Sequence, residues 1–131
     1  MTQAVRRGAL AAVLLGLAAQ AGAGAEPAGT GPMLPRDSRE AAVFRGGLVY
    51  SNYCVTCHGV TADGNGRAAR LYTPRPANLR ATDKNDDYIE LIVRKGGEKL
   101  GRSPKMPPWE DELTNEQIRD VTAFIRSVNA R

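Results

Sequence analysis

The chain has 131 residues, 42% hydrophobic and 24% charged, with a formal net charge of +4 and a pI near 9.4. That length holds one small domain. Acidic residues are mixed among the basic ones and no aromatic-interleaved basic stripe occurs, which argues against a nucleic-acid surface.

Residues 1–25 read as a cleaved secretory signal. Arg6 and Arg7 supply a positive start, an apolar Ala/Leu/Val/Gly run follows, and Ala23-Gly24-Ala25 is a small-residue cleavage site. The apolar run is too short and alanine-rich for a span of about 20 residues. Cleavage after Ala25 leaves 106 of the 131 residues and lowers Lys plus Arg from 18 to 16 against 14 acids, a balance of +2. The expected location is therefore the periplasm, with membrane contact only through membrane-bound partners. Residues 26–37 hold Pro27, Pro32, Pro35, Gly29 and Gly31 and read as a flexible tether. Met33 lies in it.

The domain proper is expected over 38–131. Asp37 and Glu40 predict a capping box at the start of a helix over 38–53. Ala41, Phe44, Leu48 and Ser51 fall on one face of it at helical spacing. Gly46 and Gly47 are costly inside a helix and point to a close crossing with another helix.

The helix ends in Cys54-Val55-Thr56-Cys57-His58, which contains both cysteines and the only histidine of the chain. C-x-x-C-H is the c-type haem attachment pattern. Two thiols bond the vinyl groups of one porphyrin, and the next residue supplies an imidazole to the iron. A zinc site needs about four ligands, and no fourth soft ligand exists. A thioredoxin-like pair needs a βαβ context, and the flanks read as helix. A Cys54–Cys57 disulfide closes a very small loop and leaves His58 unexplained.

Asp63-Gly64-Asn65-Gly66 marks a turn within 59–66. Residues 67–71 suit one helical turn. Thr73-Pro74-Arg75-Pro76-Ala77 is extended, because each proline forces its predecessor out of the helical region. Asp83 to Asp87 offer several caps for a helix over 86–95, with Ile89, Ile92 and Val93 as its stripe. Gly96 suits the left-handed position after its end. Residues 98–109 form a loop stiffened by Pro107-Pro108. Thr114 and Gln117 form a second capping box for a helix over 115–129, lined by Ile118, Val121, Phe124, Ile125 and Val128.

A haem iron held only by His58 keeps an open sixth position; a second protein ligand closes it and favours electron transfer. Met106 lies 48 residues after His58 between two helices. Lys105 beside it and Met33 in the tether are the other candidates. Only seven aromatics serve the chain, and a buried haem acts as the missing core.

Gly46-x-x-x-Tyr50-x-x-x-Cys54-x-x-Cys57-His58-Gly59, Met106-Pro107-Pro108-Trp109 and the helix ending Ala123-Phe124-Ile125-Arg126 resemble the class I, single-haem bacterial cytochromes c. The resemblance covers about 38–129. It implies an all-α, small cytochrome c fold of three main helices plus loops around one covalent haem c, with Gly46 and Tyr50 crossing the last helix near Phe124 and Ile125. It implies His58 and Met106 as axial iron ligands and a proline carbonyl, of Pro74 or Pro76, accepting the His58 N–H. Tyr72, Arg75 and Trp109 become candidates for the haem propionates. Lys95, Lys99, Arg102 and Lys105 form a candidate docking patch for redox partners. The implied function is a one-electron carrier between a donor dehydrogenase or reductase and a terminal acceptor. The alternatives are the cytochrome subunit of a dehydrogenase complex, or a haem enzyme or gas sensor with an open sixth site.

Overall fold

The computed structural model describes residues 33–129. The expected signal over 1–25 and the tether up to residue 32 lie outside them. Four helices carry the fold: α1 Arg39–Tyr53, α2 Val55–His58, α3 Asp86–Lys99 and α4 Asn115–Val128, with single 3-10 turns at Ala69–Leu71 and Leu79–Ala81. The described residues contain no strand. None of their helices is long and apolar enough to cross a membrane. The all-α expectation holds, with three main helices and a one-turn α2.

The helix starts follow local chemistry. The α1 cap is Ser38, whose hydroxyl accepts from the Ala41 N–H at 3.1 Å. Asp37 was expected there, but the chain enters the helix one residue later. Asn85 caps α3, accepting from the Tyr88 N–H at 2.9 Å. Thr114 and Gln117 make the reciprocal capping box of α4.

α1 packs chiefly on α4. The core consists of Val49, Tyr50, Ala62, Ile89, Val93, Leu113, Ile118, Val121 and Ile125. Ile118 and Val121 are fully buried, as the α4 stripe predicts. On α1 only Ala41 of the expected stripe is buried: Phe44 is 66% and Leu48 54% exposed, Ser51 is exposed too, and Gly46, Val49 and Tyr50 turn inward with Ala41. The reason is backbone contact. A Cβ on Gly46 would lie 1.9 Å from the Asp120 carbonyl oxygen, so position 46 must face α4. The residues one turn on, Val49 and Tyr50, follow it inward and rotate Phe44 and Leu48 to solvent.

Side chains lock this crossing. The Tyr50 and Phe124 rings lie 4.9 Å apart between centroids. Arg45 donates from Nε to Asp120 at 2.7 Å and from Nη2 at 2.9 Å. Asp120 is 4% exposed, and a carboxylate so buried needs such a partner. At the far end of α4, Asn129 Nδ2 donates to the carbonyls of Leu79 and Thr82 at 3.2 and 2.9 Å.

Two alanine substitutions separate the crossing from helix propensity. Gly46→Ala forces backbone against backbone and is expected to cost about 3 kcal/mol or more, lowering Tm by about 10 °C or more. At Gly47 a new Cβ meets only the Phe124 ring, at 3.4 Å. Gly47→Ala is therefore expected to be neutral or stabilising by up to about 1 kcal/mol. Thermal unfolding of the two variants checks the pair.

Candidate haem site

The end of α1 delivers the attachment segment. The Cys54 N–H still bonds to the Tyr50 carbonyl, at 2.9 Å. α2 then starts at once, with the His58 N–H on the Cys54 carbonyl at 2.9 Å. One helical turn places Cys54, Cys57 and His58, at i, i+3 and i+4, on one face. The Tyr50 hydroxyl donates to the Gly59 carbonyl at 2.6 Å, tying the end of α2 to the α1–α4 crossing. The following loop folds back onto the segment: the N–H groups of Gly64, Gly66 and Ala68 bond to the carbonyls of His58, Cys57 and Thr56 at 2.8, 3.1 and 3.0 Å.

His58 is oriented by a backbone carbonyl, but not by a proline's. Its Nδ1 lies 3.0 Å from the Ala77 carbonyl oxygen. The expectation of Pro74 or Pro76 is corrected by one residue. Pro76's carbonyl oxygen packs against Gly64, where a Cβ would come within 2.5 Å. The next carbonyl is left for the imidazole. A carbonyl only accepts, so Nδ1 carries the proton and Nε2 keeps its lone pair for a metal. Burial lowers the imidazole pKa, against the opposing pull of the Ala77 carbonyl. The ring is thus held neutral and able to ligate. Burial, with Cys57 nearby, pushes the Cys54 thiol up to about 12.

The Met106 loop is seated on two glycines whose role the sequence does not announce. Gly96 has φ +75° and ψ 169°. That is not the left-handed helical conformation expected after the helix, but an extended positive-φ one open essentially to glycine. It kinks α3, which continues to Lys99. A Cβ on Gly96 would lie 2.9 Å from the Met106 carbonyl oxygen, and one on Gly97 would lie 2.2 Å from that of Ser103. The Gly97 N–H donates to the Met106 carbonyl at 2.9 Å, and the Gly97 carbonyl accepts from Arg102 at 2.8 Å. The Trp109 N–H closes the loop on the Val93 carbonyl at 3.0 Å. Its indole meets the Tyr53 ring edge-on at 5.3 Å. The clue in the sequence was the second glycine: one suffices to end a helix.

These segments enclose one cavity of about 720 Å³, within the size range of cofactor sites, about 300–1,000 Å³. Cys54, Cys57, His58, Tyr72, Pro74, Arg75, Pro76, Met106 and Trp109 all line it. Leu79, Ile89, Ile92, Val93 and Ile125 add apolar walls, and Lys84, Tyr88, Arg102 and Lys105 join at the rim. Met33, 92% exposed in the chain's tether, is not among the lining residues.

The lining tests the expected group. Among the described residues no three His, Cys, Asp or Glu side chains converge to hold a single ion. The two thiols and the imidazole lie along a cavity wall instead, and the thioether lies on the lining contributed by another loop. Two free thiols, a neutral imidazole, a soft thioether and apolar walls fit a haem.

The fold is similar to a chain of the Kuenenia stuttgartiensis reducing HAO-like protein complex Kustc0457/Kustc0458, at 27% identity and a TM-score of 0.54. The match covers 64% of this chain and 41% of that one, so this chain spans about two fifths of its neighbour's length. The family described as cytochrome c oxidase, cbb3-type, subunit III matches residues 41–125. That stretch takes in the α1–α4 crossing, the attachment pentapeptide and the Met106 loop, and the chain belongs to this family, a class I-like c-type cytochrome domain that transfers electrons and whose membership implies covalently bound haem c.

Proposed function

We propose that the chain is a periplasmic electron carrier with one haem c, held through Cys54 and Cys57 and ligated by His58 and Met106. The cavity carries this reading: it brings both thiols, an imidazole fixed by the Ala77 carbonyl, and the only methionine of the domain core to one lining. The haem supplies a one-electron iron couple. His58 presents Nε2 as a neutral donor. Met106 offers a soft, uncharged ligand that favours the reduced metal. The apolar walls exclude water and disfavour the more highly charged oxidised centre. Ligands that stay in place keep the reorganisation on electron exchange small.

The cytochrome subunit of a multi-subunit redox complex is a second reading, favoured by the neighbour's place in such a complex and by the family's description. Co-purification with a catalytic subunit separates it from the free carrier. For docking, Lys95 is engaged with Glu110 at 2.6 Å and Arg102 with the Tyr88 hydroxyl at 3.2 Å. A phenol cancels no charge, so among the described residues the positive charge without an ion-pair partner in the proposed patch rests on Lys99, Arg102 and Lys105, of which the two lysines make no side-chain hydrogen bond. Charge reversal at these two lysines should slow exchange with an acidic redox partner and flatten its decline with rising salt; equal rates would remove the patch.

The exported protein tests the main proposal by its intact mass and optical spectrum. A chain beginning at Glu26 with one added haem is expected. Its reduced c-type spectrum should be unaltered by carbon monoxide, and Met106→Ala should bind carbon monoxide readily. A wild type that binds it as readily would leave the sixth site open and overturn the carrier. Gly97→Ala removes no ligand but sets a Cβ 2.2 Å from the Ser103 carbonyl oxygen and 3.2 Å from Met106 Cβ, displacing the Met106 loop, so partial carbon monoxide reactivity and a lower Tm are expected in the same assay.

A further inference from the structure

Charge is not spread evenly along the chain. Residues 64–82 hold four arginines, Arg67, Arg70, Arg75 and Arg80, and no acid. The other described residues hold 11 Lys and Arg against 13 Asp and Glu. The net positive charge of the described residues therefore comes from this one stretch. All four arginines are exposed. None of them is in an ion pair among the described residues, whereas Arg36, Arg45, Lys84, Arg94, Lys95 and Arg126 each lie against a carboxylate. Arg75 meets only the neutral Asn65 amide, at 3.4 Å. Counting Asp63, the acid just before the stretch, still leaves an excess of three positive charges.

The stretch folds back on itself. The Leu79 N–H donates to the Ala62 carbonyl at 2.8 Å, and the Pro76 carbonyl oxygen packs on Gly64. Arg67, Arg75 and Arg80 thus come from one loop cluster. Arg70 stands in the 3-10 turn seated by buried Ala69. The Gly66 and Ala68 N–H groups fasten the cluster to the Cys57 and Thr56 carbonyls at 3.1 and 3.0 Å. A backbone held in place lowers the ordering cost of binding. Two apolar side chains stand out from the same loops, Leu71 at 79% and Val60 at 85% exposure. Arginine with exposed apolar area suits a protein contact, where Arg is enriched and Lys depleted. A guanidinium fork pairs with a carboxylate through two parallel hydrogen bonds.

We propose that the 64–82 loop is a docking surface for a redox protein that presents clustered carboxylates. This rests on the carrier reading above. It names a face on a different loop from Lys99 and Lys105, where acids intervene: Glu98 precedes Lys99, and Glu110 holds Lys95. The cavity favours a protein over an anionic lipid surface. Tyr72, Pro74, Arg75, Pro76 and Leu79 of this stretch line it, and its Ala77 carbonyl holds His58. A partner seated here lies against the wall beside the proposed iron site, where an electron can pass; a lipid surface exchanges none.

Reduction of the haem-loaded protein by an acidic flavodoxin tests the surface: the reduced flavin gives up one electron and the ferric iron takes it. Arg67→Gln/Arg80→Gln should lower the second-order rate at low ionic strength by about tenfold and flatten its fall with added salt. Arg67→Lys/Arg80→Lys keeps the charge and should recover most of the rate. Arg39→Gln/Arg119→Gln removes the same charge from exposed positions on α1 and α4 and should keep most of the rate. Equal losses in the two glutamine pairs would reduce the effect to net charge and overturn the proposal. So would a loop pair that keeps the wild-type rate but loses co-sedimentation with anionic phospholipid vesicles, which would make the loop a membrane contact. These outcomes are read in variants that retain the c-type spectrum and resist carbon monoxide. A wild type without that spectrum would overturn the carrier reading and this proposal with it.

Discussion

No side chain fits at position 46. A Cβ there would stand 1.9 Å from the Asp120 carbonyl oxygen, so α1 and α4 meet backbone to backbone. The site depends on that contact. Four residues on, Tyr50 packs on Phe124 and its hydroxyl grips the Gly59 carbonyl. Four more residues along the same helix stands Cys54. One rigid element thus runs from the helix crossing into the attachment segment, and an error in the crossing becomes an error in thiol position. The Arg45–Asp120 pair sits on the same crossing. A buried ion pair contributes little net stability. A bidentate one does constrain register, because sliding either helix by a turn would strand the buried carboxylate.

What was legible in the sequence was what is local. The pentapeptide announces itself by composition, since three rare ligand residues fall within five positions. Thr114 and Gln117 cap α4 three residues apart, and the α4 stripe repeats every three or four residues against one core. The glycines pointed to a close crossing, and Gly46 meets α4 as expected, but the α1 stripe was misread, because hydropathy ranks Phe44 and Leu48 above Gly46. The partner's backbone, and not transfer free energy, chose which side turns inward. Ala77 was missed for a related reason. Which carbonyl of an extended segment meets an imidazole is set by how that segment packs on the Gly64 turn, a tertiary fact with no sequence period. Gly96 read as a helix end, yet with Gly97 it forms the seat of the Met106 loop.

A domain of this size buries a modest core. Its residues form one cluster around the α1–α4 and α3–α4 contacts. The opposite wall of the cavity is loop: the stretch around Pro74–Leu79 and the stretch around Ser103–Pro107. These loops are tied by scattered hydrogen bonds, such as Leu79 to Ala62, Ala77 to His58, and Gly97 to Met106, and not by a packed helical face. Helices define one side of the site, and a bound planar group would complete the apolar contacts of the other.

The cavity has a polarity gradient as well as a shape. Ile89, Ile92, Val93 and Ile125 form apolar walls, and Arg75, Lys84, Arg102 and Lys105 sit toward solvent. A flat amphiphile with carboxylates on one edge has one favourable way to enter such a space. On the proposed attachment, the cysteines would define that orientation independently, from the opposite edge. Under the proposed attachment, two determinants of different chemistry, covalent at one edge and electrostatic at the other, would agree on a single placement. The rim also acts on the centre's charge. Beyond the proposed signal the chain is nearly balanced, so these nearby cations would weigh on a bound centre more than the net charge does. On the proposed haem reading, the potential would then be tuned locally at the rim, by single substitutions that leave fold and ligation intact.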